Sequence, residues 1–225
     1  MDVKGTISGD DVVLNTTGLT MSGSIDGTNT VDINSTGALV DMSGKVSGGN
    51  ISIDGLGVNT GIVDATGIVN VNAGTGAANL NGKVSGTDIT VTGEGVNANE
   101  IAGSGNVQVD GKNSAVNLNG TVSGKDIAVA GTGVNASTIT GTGTVNVNAG
   151  TGLANLNGKV SGTDITVGGT GVNLKDTITG TGAVDINSEN GLVDIDAAVS
   201  GTDVYIDGLG PVSYTHLRAH ETSQD

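Results

Sequence analysis

Asp88, Asp126 and Asp164 recur at one constant spacing, and Lys45, Lys83 and Lys159 fall on multiples of the same spacing. A cluster of carboxylates holding Ca²⁺ beside an Arg or Lys base is what a uronide-cleaving lyase would need. The arrangement fails on distance. Structural elements that repeat about every 19 residues place members of this acidic column two strand spacings apart, ~9.6 Å. Calcium takes its oxygen ligands at roughly 2.3–2.6 Å, so no two members can share an ion. Asn106 and Thr144 stand between them, not further carboxylates. Cys is absent, and both His and the only Arg lie beyond Gly210. Zinc sites, thiolate chemistry and His-dependent nucleophilic triads are therefore excluded from the repeats. No catalytic, cofactor-binding or metal-binding residue is assigned, and the chain is expected not to be an enzyme.

The elements that carry these columns are themselves periodic. Val84-Ser85-Gly86 recurs at Val46, Val122, Val160 and Val199, with a first copy at Ile7-Ser8-Gly9. Successive copies start about 38 residues apart, which marks a stacked repeat protein. A finer period lies inside. Pairs of apolar residues flanking one other residue run from Val12/Leu14 through Val31/Ile33, Ile51/Ile53, Val69/Val71, Ile89/Val91, Val107/Val109 and Ile127/Val129. They continue through Val145/Val147, Ile165/Val167 and Val184/Ile186 to Val204/Ile206. First members are spaced about 19 residues apart, and a longer and a shorter step together make one sequence repeat. The i, i+2 spacing puts each pair on one face of a strand, and the variable middle residue faces outward. Each rung is expected to hold three short strands separated by Gly- and Asn-rich corners.

Composition agrees with a solenoid. Among 225 residues there are 41 Gly, 1 Pro, 2 Tyr, and no Phe or Trp. An ordinary globule draws much of its core from large aromatic rings. Here Val, Ile, Ala and Leu must suffice, and β-branched residues suit a narrow pleated interior. A net charge of −15, with few and scattered Lys, argues against nucleic acid as a partner. No run approaches the ~20 apolar residues of a membrane span.

Asn and Asp recur in columns of their own. Asn34, Asn72, Asp110, Asn148 and Asn187 follow alternate main strands, and Asn59, Asn97, Asn135 and Asn173 sit one corner later. Asp11, Asn50, Asp88, Asp126, Asp164 and Asp203 open main strands. These residues tolerate left-handed backbone and bond to the amides of their own turns. Stacked amides can also bond from rung to rung. After Gly210 the pattern stops. Residues 1–210 are taken as one β-solenoid segment. Residues 211–225, which hold both His and the only Arg and Pro, resemble translated sequencing adapter and are set apart as an artefactual tail.

Gly82-Lys83-Val84-Ser85-Gly86-Thr87-Asp88-Ile89-Thr90-Val91 resembles the repeats of filamentous-haemagglutinin-like exoproteins and autotransporter passenger domains. Those read roughly Gly-x-Val-x-x-Gly-x-Asp-Leu-x-Leu on a ~19-residue step. The likeness covers residues 2–210. It implies an all-β, right-handed parallel β-helix of about 11 rungs, exported to the bacterial surface or beyond and used as an adhesive or structural shaft. It also implies contact with a host surface or glycan through repeated weak interactions. Neither the secretion-directing cap nor the membrane barrel of that pattern is present, so a central fragment is expected. Two alternatives stand beside it: a fragment of a β-helix enzyme acting on polysaccharide, and an ice- or surface-binding solenoid. The outward residues of the main strand, from Val13 to Tyr205, are too mixed for lattice matching.

Overall fold

The computed structural model describes residues 1–209 and the backbone of Ser213–Ala219. The chain is all β, and its strands join in one continuous sheet of parallel neighbours. It forms a β-solenoid of about 11 turns. Each turn presents three faces. The main face carries the apolar pairs already named, and their register is direct: Ile89 pairs with Val107, which pairs with Ile127, which pairs with Val145. A second face stacks Val58, Ala78, Val96, Val116 and Val134. A third stacks Val63, Val84, Ile101, Val122 and Ile139.

All of these side chains point into one core. Leu14, Val204 and Ile206 alone among the paired aliphatics are only partly buried, because they lie near the ends of the described stack. A typical rung contributes five inward residues, as with Ile89, Val91, Val96, Ala98 and Ile101. Such a rung cannot offset the ordering of its own backbone at about 1–2 kcal/mol per residue. Stacking supplies the missing partners, since strand amides find carbonyls on the turn above or below.

The unequal steps resolve into the corners. In the longer rung that starts at Val69, six residues separate Val71 from Ala78, three separate Leu80 from Val84, and four separate Val84 from Ile89. In the shorter rung that follows, the same three corners hold four, two and five. The first two corners are thus longer in the long rung and the third is shorter, which leaves a net excess of two. The long first corner is a built turn. Asn72, Asp110 and Asn148 open it, and their side-chain oxygens accept the N–H two residues on, at 3.1, 2.8 and 2.9 Å. The residue that donates takes positive φ: Gly74 at 56°, Lys112 at 50° and Gly150 at 50°.

Lys112 is the one non-Gly residue in that conformation among the described residues. Left-handed backbone costs an L-residue roughly 1–2 kcal/mol. Part of this is offset, because Lys112 Nζ reaches the carbonyl of Gly74 two rungs away at 2.7 Å. Lys112→Gly is expected to raise stability by about 0.5–1 kcal/mol in urea unfolding. A loss of stability would mean that the long reach to Gly74 outweighs the strain.

The strand Ser213–Ala219 pairs in parallel with Val193–Gly201, with Ile195 opposite Tyr214 and Val199 opposite Leu217. The remainder of the segment set apart at 211–225 lies outside the described residues.

Candidate functional site

Three sets of polar side chains run along the rod, and each has a definite geometry. The acidic column comes first. Asp88 Oδ1 accepts the backbone N–H of Asn106 at 2.7 Å, Asp126 Oδ1 that of Thr144 at 2.8 Å, and Asp164 Oδ1 that of Ala183 at 2.8 Å. Asn50 does the same for Ile68 at 2.9 Å. These groups tie one rung to the next through one side-chain oxygen each. Their partner lies on the following rung, not in their own turn as the sequence suggests. Space is made for each by a glycine. A Cβ on Gly67, Gly105, Gly143 or Gly182 would fall on the side-chain oxygen of Asn50, Asp88, Asp126 or Asp164 respectively.

The second set is an asparagine ladder on the second face. Asn79 Nδ2 donates to Asn59 Oδ1 at 2.8 Å, and Asn97 to Asn79, Asn117 to Asn97 and Asn135 to Asn117 do so at the same distance. Asn155 and Asn173 extend it at 2.7 Å each. Seven amides thus form one chain of hydrogen bonds with a single polarity. At its N-terminal end Asn59 donates to Asp41 Oδ1 at 3.3 Å, and a carboxylate suits that end because only an acceptor is needed there. The sequence shows Asn59, Asn97, Asn135 and Asn173 as a column. Asn79, Asn117 and Asn155 complete it from the alternate rungs. Their signal was the recurring Asn-Leu step in Ala78-Asn79-Leu80, Val116-Asn117-Leu118 and Ala154-Asn155-Leu156.

The third set is the lysines. Lys45 pairs with Asp64 at 2.8 Å and Lys83 with Glu100 at 2.9 Å across adjacent rungs of the third face. Lys175 bridges Asp194 at 3.2 Å and Asp196 at 2.5 Å. The carboxyl of Asp64 is held below its usual range by hydrogen bonds from Lys45 and then Ser85. That of Asp126 is lowered by the Thr144 backbone N–H and hydroxyl. Lys175 is raised by Asp196 and Asp194.

No known protein family, curated protein or solved structure matches this chain. Its surface must therefore be judged on its own geometry. Among the described residues, no group of three or more His, Cys, Asp or Glu could hold a metal ion. Among them, too, no helix is long and apolar enough to cross a membrane. One buried polar group of the described residues lacks a partner: Thr60 Oγ1, on a residue that stands opposite Leu80 in register. Leaving such a hydroxyl unpaired costs about 1–3 kcal/mol.

The titrations have a sign that can be tested. Asp64 and Asp126 have depressed folded values, so their contribution is present above the unfolded value near 3.8 and is lost as pH falls through the folded one. Lys175 is raised, so its contribution is present below 10.5 and is lost as pH rises through its folded value. Thermal melts between about pH 5 and pH 2 should show stability falling, and less steeply in Asp64→Asn than in the parent. Equal acid limbs in the two proteins would remove Asp64 from the account.

Proposed function

We propose that this chain is a segment of the shaft of a bacterial exported or surface-attached protein, structural and adhesive in role, with no catalysis of its own. The observation that carries the reading is the unbroken asparagine ladder from Asn59 to Asn173. Outward polar groups that bond to one another along the axis add stiffness to a rod whose core already runs its full described length. Among the described residues the chain inserts no long loop between rungs, so it extends a structure without elaborating a pocket on it. The acidic composition favours solubility, and the absence of Cys fits a secreted and a cytosolic setting alike. Antibody raised against the rod is expected to label intact producing cells or their medium. Labelling confined to permeabilised cells would overturn the external placement. Deleting residues 85–122, one full repeat, is expected to shorten the particle in solution scattering by about 10 Å and leave it folded. Collapse of that variant would contradict a modular shaft.

A further inference from the structure

One stretch of the main face departs from the pattern. The outward column that closes each main strand reads Asn15, Asn34, Asp54, Asn72, Thr92, Asp110, Ala130, Asn148, Gly168, Asn187, Asp207 in register. Three consecutive members bond to one another: Asn72 Nδ2 donates to Asp54 at 3.0 Å, and Thr92 Oγ1 to Asn72 at 3.3 Å. At Gly168 the column has no side chain. The neighbours Asn148 and Asn187 are left two rungs apart, with a shallow depression between them.

The fold does not require this glycine. A Cβ there would meet nothing nearer than the Asn187 carbonyl at 3.9 Å, and its φ is not positive. Most glycines of the rod are forced by close backbone or side-chain approach; Gly168, like Gly5, Gly9, Gly37 and Gly133, is not, and of these it alone is among the residues lining this depression. The depression is walled by Asn146, Thr166 and Asp185 from three successive rungs, and by Asn148, Asn187 and Glu189 at the corner. All six are exposed. Within the described structure the only side-chain hydrogen bond among them is the one Asn148 Oδ1 accepts from Gly150.

We propose that this depression is a binding site for a neutral saccharide. Three amides and a hydroxyl offer both donors and acceptors, and two carboxylates offer acceptors alone. A ligand that answers this set brings many O–H groups and no negative charge. No lysine lines the site, and Asp185 and Glu189 repel an anion. The Cα–H surfaces of Gly150, Gly168 and Gly169 form an apolar floor for a sugar's C–H face. With no aromatic ring to stack on, affinity is modest, with Kd near about 1 mM. The site stands independently of the shaft reading: a rod found inside the cell could still carry it.

The test is a titration of the ¹⁵N-labelled chain with cellotetraose, maltotetraose and chitotetraose, followed by amide shifts. At least one sugar is expected to give saturable shifts confined to 146–150, 166–169 and 185–189. Gly168→Asn, which restores the column, is expected to weaken binding by about tenfold or more with an unchanged melting temperature. Gly168→Ala should fall between. Absence of shifts with all three sugars overturns the proposal, as does equal binding by Gly168→Asn. Calcium chloride run in parallel is expected to give no saturable shift there. Saturation by Ca²⁺ and not by sugar would assign the depression to a cation and overturn the proposal.

Discussion

Replacing Gly105 with Ala is expected to destabilise the rod by about 2–3 kcal/mol, and replacing Asp88 with Ala in the same chain is expected to remove much of the added cost. The Cβ would occupy the place of Asp88 Oδ1 and come within 3.1 Å of the Thr87 carbonyl. The carboxylate must then swing out and release the Asn106 N–H that it holds at 2.7 Å. Asp88→Ala alone loses the same bond, about 1.5–3 kcal/mol for a charged acceptor. The two losses are one event counted twice, so the double variant should fall short of their sum by about 1 kcal/mol or more. Gly168→Ala is the control, since its Cβ enters open space, and it should lie within about 0.5 kcal/mol of the parent. Strict additivity of Gly105→Ala and Asp88→Ala in urea unfolding would show that glycine and carboxylate do not share one space. The same pairing at Asn50 with Gly67, Asp126 with Gly143 and Asp164 with Gly182 explains why both residue types recur together.

That pairing also shows where the sequence stops being legible. Ile89, Val107 and Ile127 could be stacked from the sequence because inward position depends on two short rules, alternation along a strand and a step of about 19. The strands themselves follow as closely: the pairs Ile89/Val91 and Val107/Val109 open the strands Ile89–Thr92 and Val107–Asp110. The Asn72, Asp110 and Asn148 column was also readable, since it bonds inside its own turn. Asp88 was not. Its partner is the backbone of the next rung, and which amide arrives there depends on three corner lengths that alternate. Gly168 was invisible for a related reason. In a chain with 41 Gly, nothing local distinguishes a glycine that packing demands from one that leaves a gap. That distinction emerges only when a Cβ is set against the neighbouring rungs.

The asparagine ladder carries the second large effect, and its direction decides the outcome. Asn117 Nδ2 donates to Asn97 at 2.8 Å, and Asn117 Oδ1 accepts from Asn135 at 2.8 Å. Asn117→Ala removes both bonds and is expected to cost about 1–2 kcal/mol. Asn117→Asp keeps the shape and the bond from Asn135, yet it is expected to cost more, about 2–3 kcal/mol at neutral pH. A carboxylate has no proton to give, so its oxygen would face Asn97 Oδ1 with two lone-pair sets opposed. Protonation restores the donor. The introduced carboxyl therefore has a folded pKa above its unfolded value near about 3.9, and its stabilising form persists below that value and is lost as pH rises through the folded one. The deficit of Asn117→Asp relative to the parent should shrink as pH falls toward about 4, while that of Asn117→Ala stays constant. Asp41→Asn is the directional control. Asp41 receives from Asn59 at the end where only an acceptor is needed, so the exchange should change stability by no more than about 0.5 kcal/mol. Should Asn117→Asp and Asn117→Ala unfold alike at every pH, the ladder is a row of amides bonded to water, and the stiffness attributed to it must come from the aliphatic core alone.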